Sequence, residues 1–349
     1  MVLVLGLAAL LWAVGAMMGT PQRNRLIMIA LLFGVVLVLQ LLLPDGHPVR
    51  QATGNTPALW LILAGFTALA ILYGRILAAL RKRADKQLPA TSAPVGGTFT
   101  DTELNRYARH IVLREVGGPG QKRLKQARVL VIGAGGLGAP ALQYLAAAGV
   151  GTIGVVDDDE VENANLQRQV IHRDADIGKP KVFSAQAAMV AQNPAVAVRP
   201  YHRRLTEEIA ADLFNDYDVI LDGTDNFATR YLSNATAVAT GKPLVSGALS
   251  QWEGQLSVFD PAHSGPCYRC IFPEAPAEGL APSCAEAGVI GPLPGVIGAM
   301  MALEAIKVLT DAGTPLRGQM LIYDALYGES RSIAVTRRKD CTVCGAFSG

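Results

Sequence analysis

The chain has 349 residues, half of them hydrophobic, and its formal net charge is only +2. A nucleic-acid-binding protein would need a strongly basic domain or stripe, so this charge balance argues against nucleic acid as a partner. The length allows two domains of ordinary size, and the composition changes sharply near residue 85, because only five charged residues precede Leu80.

Three apolar runs occupy the first part of the chain, at residues 2–18, 26–43 and 58–80. Each is close to or above the length of about 18–20 residues that a helix needs to cross a bilayer. A cleavable signal peptide is the alternative for the first run, but no basic residue precedes it. Residues 1–86 are therefore predicted to be a membrane region with about three transmembrane helices.

The basic residues around these runs predict their orientation, since Lys and Arg are enriched on the cytoplasmic side of membrane spans. Arg23 and Arg25 lie in the first loop and a basic cluster follows the third run, whereas the second loop has only Arg50. We therefore expect a multi-pass protein of the cytoplasmic membrane with the rest of the chain in the cytoplasm. Residues 87–99 have the composition of a flexible linker, and residues 100–349 are sufficient for one α/β domain.

A glycine loop opens the predicted soluble domain. The apolar run RVLVIG at residues 128–133 leads into four glycines, Gly133, Gly135, Gly136 and Gly138, and a helical stretch follows. Strand, glycine loop and helix in this order form a phosphate-binding turn, because the N–H groups at the helix start can donate to phosphate oxygens. The next strand delivers Asp157, which can accept from ribose hydroxyls. This pattern indicates a nucleotide without saying which one.

The clustered polar residues that follow Asp157 distinguish between two possible functions. A nicotinamide-dependent oxidoreductase would explain the glycine loop but has no need of a collection of Arg, Lys and acidic residues. An adenylation site needs them, since cations stabilise the charge that develops on the transferred phosphoryl group and an Asp can hold Mg²⁺. Arg168 and Lys181 are the candidate cations, Asp225 is the candidate metal ligand, and Asn165 can orient a phosphate or ribose oxygen.

The motifs GAGGLG, DDDEVENANLQRQ, GKPK, LDGTDN and VSGALSQWEGQ together resemble the MoeB/ThiF/HesA family and the adenylation domains of ubiquitin-activating enzymes. The resemblance runs over residues 106–345 and is strongest to the MoeB branch of molybdopterin-synthase adenylyltransferases. It implies a Rossmann-like, doubly wound α/β sheet with a C-terminal extension closed by zinc. It also implies ATP-dependent adenylylation of the C-terminal glycine carboxylate of a small ubiquitin-like sulfur carrier that ends in Gly-Gly.

The resemblance further implies a homodimer in which Arg109 reaches into the partner's site. Arg168, Lys181, Asp225 and Arg109 would be catalytic. The nucleotide, with Mg²⁺, would be held by Gly133, Gly135, Gly136, Gly138, Asp157, Asp159, Asn165, Arg168, Lys181, Asp225 and Asn226.

All five cysteines lie in the predicted soluble domain. Two C-x-x-C pairs, Cys267 with Cys270 and Cys341 with Cys344, offer four thiolates in the pattern of a structural zinc site. Cys284 is left over, and the family resemblance leaves open a covalent role for it. His110 and His172, which lie near the nucleotide motifs, have no ligand spacing, and this favours packing or surface roles for both.

Three alternatives remain at this stage. The carrier could belong to the thiamine pathway, which the sequence does not distinguish. The chain could also be a nicotinamide-dependent oxidoreductase, or a non-catalytic membrane scaffold that keeps the nucleotide fold. The scaffold is disfavoured because Arg168, Lys181 and Asp225 are all present.

Overall fold

The structure is a computed structural model of the chain, and it divides into two compact units, Met1–Gly96 and Gly97–Gly349. The residues that it describes are 2–18, 20, 22–44, 46–54, 57–58, 60–62, 65–66, 69, 73, 75, 98–276 and 287–345.

The first unit contains the helices α1 (Val2–Met17), α2 (Gln22–Leu42) and α3 (Pro48–Thr53). Val4, Val36 and Trp60 are buried together in this unit, while most other apolar side chains of α1 and α2 are exposed. The stretch Asn24–Leu42 is long and apolar enough to cross a membrane, and only 11% of it is buried. Most of the third apolar run lies outside the described residues.

The described residues of the second unit form eight strands. They are β1 (Arg128–Ile132), β2 (Thr152–Asp157), β3 (Ala197–His202), β4 (Val219–Asp222), β5 (Leu244–Leu249), β6 (Glu253–Phe259), β7 (Gln319–Asp324) and β8 (Glu329–Ala334). Its described α-helices are α4 (Asp101–Arg106), α5 (Ala108–Ile111), α6 (Gly117–Gln126), α7 (Gly138–Ala148), α8 (Lys181–Gln192), α9 (Glu207–Asn215), α10 (Phe227–Ala239), α11 (Tyr268–Ile271) and α12 (Pro292–Thr310). Short 3₁₀ turns occur at Asn163–Asn165, Asp174–Asp176 and Pro261–His263.

The eight strands form one sheet in the order β3-β2-β1-β4-β5-β6-β7-β8. The first five strands in this order are parallel, and β6, β7 and β8 continue the sheet antiparallel. The chain runs outward from β1 to β3 and then returns to place β4 on the other side of β1. This reversal opens a crevice at the carboxyl ends of β1 and β4, where open α/β sheets bind their ligands.

Alternate side chains of the central strands enter two apolar layers, because successive residues of a strand point to opposite faces. Val129 and Val131 of β1 join one buried cluster, whereas Leu130 and Ile132 join another on the opposite face. Helix α12 packs in the first layer, and half of it is buried. Its apolar length alone would suit a membrane span, but the structure places it in the core of the α/β unit. The α/β fold is thus confirmed.

Candidate nucleotide site

A cleft of about 630 Å³ lies at the carboxyl ends of β1, β2 and β4. It is the topological switch point of the sheet, so the fold alone marks it as a ligand site. The candidate nucleotide residues that line it are Gly133, Gly135, Gly136, Asp157, Asp159, Asn165, Arg168, Lys181, Asp225 and Asn226. Segments separated by more than 90 residues of sequence thus converge on one cavity.

The glycine loop connects β1 to α7 by a tight turn. Gly133 has a φ angle of +92°, which favours glycine. At Gly138 a Cβ atom would lie only 1.8 Å from the carbonyl oxygen of Gly133, so any side chain would force the turn open. At Gly136 a Cβ would lie 3.2 Å from Pro294 of α12, which packs closely against the loop. The loop therefore keeps its shape through backbone-to-backbone contact.

This geometry predicts the effect of adding one methyl group. We expect Gly138→Ala to weaken binding of an ATP analogue by more than about tenfold, because the loop must shift to accommodate the Cβ. The matched control is Gly295→Ala on α12, where a Cβ meets no atom within 4 Å. Isothermal calorimetry on both variants measures the difference, and equal affinities would contradict this account of the loop.

Asp157 lies at the end of β2, and its carboxylate holds the backbone of the glycine loop and of the segment that follows β2. Its Oδ2 accepts from the backbone N–H of Ala134 at 2.7 Å, and its Oδ1 accepts from that of Asp159 at 2.8 Å. Burial raises the pKa of this carboxyl, although these two hydrogen bonds act in the opposite direction. Asp157 is thus a partly buried acceptor that holds the glycine loop and also lines the cleft.

Two cations line the same cleft. Arg168 donates from Nη2 to Oδ1 of Asn165 at 3.0 Å, which orients the guanidinium. The side chain of Lys181 is only 5% exposed and pairs through Nζ with Oδ2 of Asp159 at 2.7 Å, while that of Asp159 is 63% exposed. The exposed partner can exchange its ion pair for water, which leaves a buried ammonium group available to a phosphate in the cleft.

The acidic side chain of Asp225 follows β4 on the other side of the loop. It is exposed, and within the described residues it makes no hydrogen bond or ion pair, so both carboxylate oxygens are available to a metal ion. Asn226 instead caps α10, because its Oδ1 accepts from the backbone N–H of Thr229 at 2.9 Å. Its contribution is to position α10 behind Asp225.

Sequence reasoning missed several buried polar residues that line the cleft, among them Gln169 and Arg230. Arg230 donates to the carbonyl oxygens of Thr224 and Gly247, and so ties the turn after β4 to β5. Gln169 is 4% exposed, and in the described part of the chain its Oε1 has no partner. The only signal for Arg230 was a single Arg in a helix otherwise free of charge, whereas Gln169 is the last residue of the recognised motif DDDEVENANLQRQ.

Arg109 and Cys284 behave differently from the other predicted residues. Arg109 lies on α5, is exposed and does not line the cleft of its own chain. Its predicted role in a partner's site stays a prediction. Cys284 lies outside the described residues.

The other four cysteines form a separate buried cluster beside α11. Their Sγ atoms all lie within 4.8 Å of one another. The Sγ–Sγ distances are 3.9 Å for Cys267 and Cys270, 3.7 Å for Cys267 and Cys341, and 3.3 Å for Cys270 and Cys344. Burial raises the pKa of the Cys267 thiol to about 11. The structure therefore unites the two C-x-x-C pairs in one set of soft ligands.

A glycine loop at the switch point of a parallel sheet, flanked by two cations and a free carboxylate, defines a nucleotide-binding protein with a Rossmann-type fold. The sequence profile described as the ThiF family matches residues 107–343. This chain belongs to that family, and the resemblance seen in its motifs is confirmed.

Similar proteins cover nearly all of the α/β unit. The chain is 53% identical to the "Sulfur carrier protein adenylyltransferase" of Thermus thermophilus over 251 residues, which are 71% of this chain and 93% of that protein. It is 55% identical over 241 residues to the "Probable adenylyltransferase/sulfurtransferase MoeZ" of Mycobacterium tuberculosis, where the match covers 68% of this chain and 61% of that protein.

A solved structure of E. coli MccB with ATP shares the fold. Its TM-score is 0.61 at 24% identity, and the match covers 69% of this chain and 75% of that one.

Proposed function

We propose that this protein is a nucleotidyltransferase that activates the C-terminal glycine of a small ubiquitin-like sulfur carrier with ATP. The carrier carboxylate attacks the α-phosphorus of ATP, pyrophosphate leaves, and the product is a carrier acyl-adenylate. The observation that carries the proposal is the convergence of Arg168, Lys181 and Asp225 around the glycine loop. The names of the relatives in Thermus and Mycobacterium support the adenylyltransferase class.

Each residue has a role that its contacts support. The N–H groups of the glycine loop and the start of α7 bind phosphate oxygens. Asp157 accepts from the ribose hydroxyls, and Asn165 holds Arg168 toward the triphosphate. Arg168 and Lys181 stabilise the negative charge that develops as pyrophosphate leaves.

Mg²⁺ fits the carboxylate of Asp225, because oxygen ligands are what this ion prefers and both oxygens are free of protein partners in the described part of the chain. When bound, the ion would neutralise phosphate charge. Asp225 would hold it, and Arg109 of a second copy of the chain would complete the site. The homodimer and this arginine rest on the family resemblance.

We propose zinc for the cluster of four cysteines. A tetrahedral zinc–thiolate site, with Zn–S bonds of about 2.3 Å, places its sulfur atoms about 3.8 Å apart. The three short Sγ–Sγ distances, 3.3–3.9 Å, agree with that spacing. The site would be structural, since four protein ligands leave no open coordination position.

We also propose that the first unit attaches the protein to a membrane. The support is the stretch Asn24–Leu42, whose apolar side chains are mostly exposed. Residues 2–18 and 58–80 would add two further spans, which makes the attachment multi-pass, with residues 100–349 on the cytoplasmic side. The domain boundaries at residues 86 and 99 belong to the same proposal.

The function is tested by ATP–pyrophosphate exchange with purified carriers of the molybdopterin-synthase and thiamine types, each ending in Gly-Gly. We expect exchange with at least one carrier and a loss of at least about 100-fold when the two terminal glycines are removed, because the attacking carboxylate is then displaced. The control carrier has a substitution on its surface away from the tail. Absence of exchange with every carrier, or equal exchange with the truncated one, would refute the proposal.

A further inference from the structure

A chain of hydrogen bonds runs beneath the glycine loop, and none of the roles above uses it. The imidazole of His172 lies between the loop and α8, with Nε2 2.9 Å from the carbonyl oxygen of Ala134 and Nδ1 2.9 Å from Oγ of Ser184. The hydroxyl of Ser184 in turn donates to Oδ2 of Asp176 at 2.8 Å. We call these four residues the loop relay. His172 and Ser184 are buried, at 6% and 1% exposure.

Counting protons shows that the relay is complete in only one charge state. Both ends, the Ala134 carbonyl and the ionised Asp176 carboxylate, can only accept. Three hydrogen bonds between them require three protons, but a neutral imidazole and a hydroxyl supply two. An imidazolium supplies the third. With His172 neutral, the Ser184 hydroxyl can donate to Asp176 or to Nδ1 of His172, but not to both.

The position of Ala134 makes this charge state relevant to the nucleotide. The residue lies between Gly133 and Gly135, which line the cleft, and its N–H is already held by Asp157. His172 therefore holds the carbonyl oxygen of Ala134, the residue whose N–H is bound by Asp157. The relay connects the phosphate loop to the start of α8, the helix that carries Lys181.

In the absence of a ligand, the surroundings of His172 lower the pKa of its imidazole. Burial is the largest effect and lowers the pKa of the imidazole, and the ammonium of Lys181 on α8 acts in the same direction. Asp176 acts in the opposite direction, and it is itself paired with Lys179 at 3.5 Å. Asp157 faces the relay through the N–H of Ala134. A polyphosphate above the loop adds several negative charges, which favour the imidazolium.

We propose that His172 is a positioning residue that takes up one proton from solvent when a nucleoside triphosphate occupies the glycine loop. The proton binds Nδ1, which then donates to Ser184, and Nε2 continues to donate to Ala134. No covalent bond other than this N–H bond forms or breaks. The completed relay fixes the loop and places a positive charge beneath the phosphates. The proposal rests on the proposed function only in taking an ATP-like nucleotide as the ligand.

Proton uptake can be measured directly. The full-length protein, purified in detergent, is titrated with α,β-methylene-ATP and Mg²⁺ in two buffers of different ionisation enthalpy at pH 7. The difference between the two binding enthalpies gives the number of protons taken up. We expect the unsubstituted protein to take up protons when it binds the analogue. Each unit by which the pKa of His172 rises on binding corresponds to an increase of up to about tenfold in the affinity for the analogue.

Three variants test whether the proton is taken up by the loop relay or by another titratable group. His172→Gln keeps an N–H donor for Ala134 but cannot take up a proton, and we expect it to bind the analogue with the uptake reduced by up to one proton. Ser184→Ala keeps the imidazole but disconnects Asp176, and we expect a smaller uptake than in the unsubstituted protein. His202→Gln is the matched control, because His202 lies one residue from cleft-lining Arg203 and outside the relay. We expect its uptake to be unchanged.

The results distinguish this proposal from a purely structural role for His172. Unchanged uptake in His172→Gln, or uptake that disappears in His202→Gln instead, would overturn it. If His172→Gln does not fold, unchanged uptake in Ser184→Ala would have the same consequence, as would absence of analogue binding to the unsubstituted protein. Failure of carrier-dependent exchange alongside His172-dependent uptake would refute the adenylylation function and leave the relay supported.

Discussion

Replacing Lys181 with alanine is expected to slow carrier-dependent ATP–pyrophosphate exchange by about 100- to 1000-fold, the usual effect of removing one transition-state donor. The reason is the unequal exposure of its ion pair. The ammonium is buried, whereas the side chain of Asp159 is 63% exposed. A buried cation that lines the cleft acts in a medium of lower dielectric constant than water, where its effect on phosphate charge is large.

The unequal exposure of Lys181 and Asp159 also limits the effect of Lys181→Ala on stability. Because Asp159 is left in contact with water, no buried charge loses its partner, and the free energy of unfolding should fall by less than about 2 kcal/mol. Thermal unfolding and exchange are measured on the same preparation. The control is Lys122→Ala on α6, an exposed lysine outside the cleft, for which we expect less than about a twofold change in rate. Exchange above about one tenth of the unsubstituted rate in Lys181→Ala would contradict the role assigned to this residue.

Asp157 and Asp225 were predictable as neighbours because each follows closely on the end of a strand. In a parallel sheet the carboxyl ends of adjacent strands meet at one edge, so Asp157 after β2 and Asp225 after β4 had to approach the glycine loop after β1. The sequence therefore predicted that these two carboxylates border the same cleft, without giving any distance.

Other contacts depend on tertiary neighbours that no local pattern contains. Arg230 receives its acceptors from the turn after β4 and from β5, and His172 receives its acceptor from a loop 38 residues earlier. A lone His in a sequence is more often packed than functional, so packing was the reasonable prediction for His172. The structure confirms that His172 is buried and shows a hydrogen bond at each of its ring nitrogens. Because of these two hydrogen bonds, protonation of the imidazole completes the loop relay.

The three antiparallel strands, β6, β7 and β8, were also not predicted from the sequence. Strand β8 is exposed along its whole length, so it has no buried face to produce an alternating pattern. Its place in the sheet follows from pairing with β7, from Gln319 opposite Ala334 to Asp324 opposite Glu329. Pairing between neighbouring strands, and not hydrophobicity, determines this element.

The largest expected effect on stability belongs to the cysteine cluster. Cys344→Ser is expected to abolish stoichiometric zinc and to lower the free energy of unfolding by about 3–5 kcal/mol, since loss of a metal site is among the few changes with effects of this size. Cys344 is fully buried, so no water can replace the missing thiolate without opening the cluster. For a domain of about 250 residues this corresponds to a Tm lower by about 10 °C.

The separation of the two cysteine pairs explains why the effect should be large. The metal would connect α11 to the segment after β8, two parts of the chain 74 residues apart, and Arg337 also donates to the carbonyl oxygen of Cys344 at 2.7 Å. Losing the connection releases the C-terminal segment from the body of the unit. Zinc content by atomic absorption and Tm by calorimetry are measured with Cys284→Ser as the matched cysteine control, which should keep one zinc per chain and its Tm. A Cys344→Ser variant with full zinc content and an unchanged Tm would show that the four thiols do not form a structural metal site.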